Sequence, residues 1–187
     1  PDFDRSQWLN EKFTLGLTLP NLPYLIDEDG AVKLTESMAI MKYICAKWRP
    51  ELLISDPIMF ANAEMLSSHI MKLKEVSTIP CYQGKNNQEI MDECWPLIQV
   101  IVDLLADQEW LTGKNLCWLD FMFFELVEYL NMISGEVVKT HYATLGAYCE
   151  RFVKLPGFAE AWADDNKTMK WPWNGDMASI GGRSSAQ

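Results

Sequence analysis

The chain has 187 residues, 49% of them apolar and 22% charged, with a mean hydropathy of −0.09; this excludes disorder and supplies enough chain for one large core or two small ones. Asp and Glu outnumber Lys and Arg by 26 to 16, and the resulting net charge of −10 repels phosphate backbones and anionic bilayers, which argues against nucleic acid as a partner. The longest apolar stretches, residues 94–105 and 116–133, are interrupted by Gln99 and Asp103 and by Asp120, Glu125 and Glu128, so neither is a membrane span.

In chain order, residues 21–26 (Asn-Leu-Pro-Tyr-Leu-Ile) read as a strand, Asp27-Glu-Asp-Gly as a turn and residues 31–35 as a second strand, which makes a β-hairpin. From Ser37 to Trp48 the pattern turns helical, with Ala39, Ile40, Tyr43, Ile44 and Trp48 recurring every three or four residues and Ser37 available as cap or first-turn residue. Arg49-Pro50 ends that helix, and residues 51–55 read as a linker. Asp56 as N-cap and Pro57 in the first turn start a helix with Met59, Ala63, Leu66, Ile70 and Leu73 on one face. Leu97, Val100, Ile101, Leu104 and Leu105 mark the next, and Pro96 predicts a kink in its earlier turns. Residues 119–133 are apolar nearly all round, as a central helix buried by its neighbours should be. Tyr142, Leu145, Cys149 and Phe152 mark the following one, and Leu155-Pro156-Gly157 separates it from a short helix through Trp162. The tail from Trp171 to Gln187 has no periodicity, and its Gly/Ser-rich end reads as mobile.

A strand, strand, helix fragment followed by an all-helical block predicts an α+β chain of two domains, residues 1–50 and 51–187. A lone hairpin and one helix bury too little apolar surface to fold alone, so the first domain is expected to be completed by strands before Pro1 or by another chain on its open edge. The five cysteines (Cys45, Cys81, Cys94, Cys117, Cys149) form no CxxC pair and read as free small hydrophobes of a reducing compartment. His69 and His141 are the only histidines, and neither stands at ligand spacing from a Cys or carboxylate, so no metal is expected. No basic region precedes an apolar one at the start, so no signal peptide is expected; without an initiator Met, Pro1 is not read as the native start.

Three segments carry a resemblance: Asp4-Arg-Ser-Gln-Trp-Leu-Asn-Glu-Lys, Leu19-Pro-Asn-Leu-Pro-Tyr-Leu-Ile-Asp and Leu34-Thr-Glu-Ser-Met-Ala-Ile-Met-Lys-Tyr-Ile. They resemble, in order and nearly in spacing, the glutathione-binding half of mu-class glutathione S-transferases, with a slightly longer hairpin turn. Trp110-Leu-Thr-Gly-Lys with Leu119-Asp-Phe is similar to the start of the central helix of that family's C-terminal domain, and Lys170-Trp-Pro-Trp-Asn-Gly to the tail of helminth-type members. The resemblance implies a partial thioredoxin-like N-terminal domain followed by an all-α helical-bundle domain. It further implies a cytoplasmic, detoxifying homodimer that conjugates the glutathione thiolate to hydrophobic electrophiles, with glutathione as co-substrate and no metal. The family's first strand, helix and second strand, with its catalytic tyrosine, would precede Pro1, so no catalytic residue is assigned within the chain. The alternative is a non-catalytic, transferase-like scaffold subunit of a larger assembly.

Glutathione has two carboxylates, an ammonium and a thiol, so its site needs cations, an antiparallel backbone partner and a carboxylate. Arg5, Trp8 and Lys12, three and four apart, share a helical face and offer two cations and an indole N–H; the resemblance places them at the glycyl carboxylate. Leu22-Pro23 resembles the family's cis-proline turn, which presents the Leu22 N–H and C=O to the cysteinyl unit, while Asn21 donates to the ligand backbone. Glu36-Ser37 opens a helix whose N-terminus and Ser hydroxyl suit the γ-glutamyl carboxylate; Glu36 faces the ammonium, where the mu class usually has glutamine. Taken singly, these residues also read as a solvated basic face, a trans proline and a plain helix cap. For the acceptor pocket the candidates are Tyr82, in a Cys81-Tyr82 pair resembling one whose hydroxyl assists at the electrophile, and Trp173 on the covering tail; a packing role for Tyr82 stays open. Three positions depart from the family: His69 where an aspartate would reach the neighbouring subunit's ligand, Leu19 in place of the aromatic that locks the dimer, and Cys117 as the cap of the central helix ahead of Asp120.

Overall fold

The computed structural model describes residues 4–168 and 173–182, excepting the side chains of 164–168. It divides into two compact units, residues 1–53 and 54–187. In the first, helix α1 (Ser6–Glu11) precedes the antiparallel strands β1 (Tyr24–Asp27) and β2 (Val32–Thr35), and helix α2 (Ser37–Trp48) follows. The register sets Tyr24 opposite Thr35, Leu25 opposite Leu34 and Asp27 opposite Val32, so alternation gives the half-buried pair Leu25 and Leu34 to one face. The turn between the strands is a tight 3-10 turn, Glu28–Gly30. Asp27 holds it: its carboxylate accepts from the Glu28 N–H at 2.7 Å, from the Tyr43 hydroxyl at 2.9 Å and from the Lys47 ammonium at 2.6 Å. Hairpin and α2 therefore fall where the sequence predicts, and α2 ends at Arg49-Pro50, which turns into a short 3-10 segment, Pro50–Leu52.

The second unit is helical. Asp56 caps α3 (Pro57–Thr78), accepting from the Ile58 and Met59 N–H groups at 3.0 and 2.8 Å. Ala63, Leu66, Ile70 and Leu73 are buried as expected, and Met59 is exposed. Helix α4 (Asn87–Leu105) starts with a capping box between Asn86 and Glu89 and continues through Pro96. Its buried stripe is Ile90, Met91, Cys94, Ile98, Ile101 and Leu105, while Val100 and Leu104 are 45% and 48% exposed. This corrects the expected face. Residues 97–105 carry two apolar stripes, and the 3.6-residue period counted from Ile90 selects the one through Ile98 and Ile101.

Helix α5 (Trp118–Ile133) is central, with Leu119, Phe123, Val127, Leu130 and Ile133 almost wholly buried. Its start is fixed by Asp120, whose carboxylate accepts from the Leu111 and Cys117 N–H groups at 2.9 Å each and from the Tyr148 hydroxyl at 3.1 Å. The carboxylate thus supplies the cap that the Cys117 thiol supplies poorly. A one-turn helix, α6 (Val138–His141), too short for periodicity to reveal, precedes α7 (Ala143–Phe152). Helix α8 (Phe158–Thr168) runs past Trp162. Phe124 stacks on Phe152 at 4.5 Å between ring centres. All five cysteines are buried and unbridged, and burial pushes the thiols of Cys94, Cys117 and Cys149 up to about 12. The mobility expected of residues 183–187 lies outside the described residues.

Candidate functional site

All eight residues expected to hold glutathione lie in the first unit, and the hairpin register gathers several of them. Because Tyr24 pairs with Thr35, the Leu22-Pro23 turn leading into β1 and the Glu36-Ser37 junction leaving β2 lie at the same end of the hairpin. The Leu22–Pro23 bond is cis, and Asn21 and Leu22 are exposed beside it. Trp8 comes to this end too: its indole stacks on the Tyr24 ring at 5.9 Å with planes 12° apart. Tyr24, which sequence reasoning did not single out, therefore orients Trp8. An aromatic directly after the proline was the available signal.

At the junction Glu36 has φ +69 and ψ 112, a conformation rarely adopted by residues other than glycine. Its side chain makes no cap hydrogen bond. Ser37 is the first helical residue of α2 and is exposed, so the N–H groups of the first turn of a twelve-residue helix point outward without intrahelical acceptors. Arg5 and Lys12 flank α1 as its N-cap and C-cap residues. The Lys12 ammonium lies 4.7 Å from the Phe13 ring centre. The exposed Arg5 guanidinium has no ion pair or hydrogen bond among the described residues. Chemically, this end of the hairpin offers a bare strand edge at Leu22, a helix N-terminus with a hydroxyl and a free carboxylate; the two cations flank the helix that carries Trp8.

The acceptor candidates lie in the second unit. The Tyr82 hydroxyl accepts the Gly175 N–H at 2.8 Å, and the Cys81 carbonyl accepts both the N–H and the hydroxyl of Ser179 at 2.8 Å each. Tyr82 thus holds the tail that carries Trp173. The Cys81 thiol is buried and donates to the Ser77 carbonyl at 3.2 Å. A cleft of about 120 Å³ between α3, α5 and the tail is lined by Ile70, Lys74, Thr78, Glu125, Tyr129 and Trp173 among others; Tyr82 stands outside its lining. Burial raises the Tyr129 hydroxyl well above its ordinary value, which keeps it a neutral O–H donor near pH 7. A wider groove of about 520 Å³ runs between α3 and α4 past Met59, Ala63, Val100 and Leu104. His69 lines it, with Nε2 donating to the Leu97 carbonyl at 2.9 Å. Among the described residues no group of three or more His, Cys, Asp or Glu is placed to hold a metal, and no helix is long and apolar enough to cross a membrane.

Residues 1–46 match the family model described as glutathione S-transferase, N-terminal domain, and residues 74–164 match glutathione S-transferase, C-terminal domain. Glutathione S-transferase class-mu 26 kDa isozyme 51 of Fasciola hepatica is 32% identical over 98% of this chain and 83% of its own length. Glutathione S-transferase Mu 1 of Mus musculus is 33% identical over 83% of this chain and 70% of its own. Among solved structures, the glutathione S-transferase Blo t 8 aligns with a TM-score of 0.76 at 26% identity, covering 95% of this chain and 84% of that one. A Pi-class glutathione S-transferase of Onchocerca volvulus, at 16% identity, shares the fold with a TM-score of 0.76 over 93% of this chain and 83% of its own.

Proposed function

This chain belongs to the glutathione S-transferase family, in its mu class, and has that family's activity; we propose that it holds glutathione at the end of the hairpin where Leu22-Pro23 and Glu36-Ser37 meet, and passes the thiolate to a hydrophobic electrophile. The register that sets these two junctions side by side is the observation that carries the reading. The Leu22 backbone pairs with the cysteinyl unit as a strand edge would. The α2 N-terminus and the Ser37 hydroxyl take the γ-glutamyl carboxylate, and Glu36 takes the ammonium. Arg5 and Lys12, with the Trp8 indole and the Asn21 amide, hold the glycyl end and the ligand backbone.

Rate comes from forming the thiolate and from fixing it beside the acceptor. Tyr129, Trp173 and the cleft beside them form the acceptor's side, and Tyr82 acts by fastening the tail that presents Trp173. Five buried, unbridged thiols support a reducing, cytoplasmic setting. A homodimer is the proposed assembly, with the 62% exposed Leu19 of one copy seated in the groove between α3 and α4 of the other.

The test is retention of the protein on immobilised glutathione and its release by free glutathione. A protein that passes through unretained would overturn the site.

A further inference from the structure

The cleft between α3, α5 and the tail has an apolar floor, Ile70 and Leu126, and an indole wall, Trp173. Its neutral polar groups are satisfied from within the protein. The Tyr129 hydroxyl donates to Asn174 Oδ1 at 3.2 Å, and Asn174 Nδ2 donates to the Tyr129 oxygen and to the Ile180 carbonyl, both at 2.8 Å. Its two charged groups are not. Lys74 and Glu125 line the same space, both are exposed, and neither has an ion pair or side-chain hydrogen bond among the described residues. Lys47, Lys72, Lys85 and Lys139 each pair with a carboxylate; Lys74 does not, although the chain has 26 acidic residues against 16 basic ones.

An ammonium beside apolar walls attracts an anion more strongly than one in open water, because the walls displace part of the screening solvent. The cleft's volume of about 120 Å³ approaches the roughly 150 Å³ of a cavity that holds benzene, which sets the scale of the occupant at one ring. We propose that Lys74 makes this cleft select acceptors that carry a carboxylate on a single aromatic ring or a comparably small apolar body. This rests on reading the cleft as the acceptor's side of the site. Glu125, facing the same space, tempers the preference and keeps it from extending to dianions.

The test uses an unreactive pair, 4-ethylbenzoate and 4-ethylbenzamide, whose binding is followed by ligand-observed NMR. The benzoate should bind about threefold more tightly, the scale of one solvent-exposed ion pair. Lys74→Met should abolish the preference, Lys74→Arg should keep it and Glu125→Gln should widen it. In turnover, Lys74→Met should raise KM for 4-carboxycinnamaldehyde more than it raises KM for cinnamaldehyde. Equal binding of the pair by the unsubstituted protein, or a preference that survives Lys74→Met, overturns the assignment. Since neither benzoyl compound reacts, failure of the glutathione site would show separately, as loss of retention on immobilised glutathione with the benzoate preference intact.

Discussion

Glu36 occupies a backbone region that costs a non-glycine residue about 1–3 kcal/mol, at the junction where β2 turns into α2. Glycine would adopt the same conformation freely. Glu36→Gly should therefore melt no lower than the unsubstituted protein while weakening glutathione retention, because the carboxylate proposed to meet the ammonium is gone; a lower melting temperature would show that the strain is not real. Arg5, unpaired among the described residues, can lose its guanidinium without orphaning a partner. Arg5→Ala should leave stability unchanged and weaken glutathione binding by about 1–3 kcal/mol by titration calorimetry, the worth of a charge-assisted hydrogen bond. Ser37→Ala removes one neutral donor and should cost about 0.5–1.5 kcal/mol of binding.

Asp27 joins the hairpin turn to α2, and this tie titrates. The Lys47 ammonium beside it, with the Glu28 N–H and the Tyr43 hydroxyl, holds the Asp27 carboxyl below its usual range. A carboxylate whose folded pKa is lowered binds its proton more readily in the unfolded chain. Its contribution is complete above the unfolded value, near pH 4, and is lost as pH falls through the lower folded value. Hydrogen exchange of the β1 amides should thus be slower in the unsubstituted protein than in Asp27→Asn at about pH 6, and the two should converge towards about pH 2. Where signals are local the elements were legible. Turn residues bounded the hairpin, and Ser37 and Pro50 bounded α2. The face of α4 was misread because Leu97, Val100 and Leu104 repeat as well as Ile98, Ile101 and Leu105, and only packing chooses between them. In the candidate site, Leu22-Pro23 and Glu36-Ser37 were readable as motifs. The Trp8–Tyr24 stack and the Asp27–Lys47 tie, which spans 20 residues, leave no local pattern to read.

On the scale of the molecule the two units are unequally buried: among the described residues, Leu17, Cys45 and Leu52 are the buried apolar residues of the first, and the rest of the core belongs to the second. Amide protection should follow, with α5 exchanging only on global unfolding and the hairpin by smaller openings. If Leu19 seats in a partner's groove, Leu19→Asp should shift sedimentation to the monomer at micromolar concentration, whereas Leu19→Phe should tighten the dimer in proportion to its larger apolar area. The tail bears on how the molecule assembles in time. Its contacts to Tyr82 and Cys81 close loops of 93 and 98 residues, against 9 for the Asp120–Leu111 contact. Closing the longer loops costs about 2 kcal/mol more in chain entropy, so the tail docks after the helices have drawn its anchor points near. Contacts made that late govern escape from the native state more than arrival at it. Tyr82→Phe, which leaves the Gly175 N–H without its acceptor, should speed unfolding in stopped-flow measurements and leave the folding rate almost untouched. Synthesis proceeds from the N-terminus, so during translation the helices can pack while Trp173 is still to come; the wall it forms is the last side of the cleft to be laid.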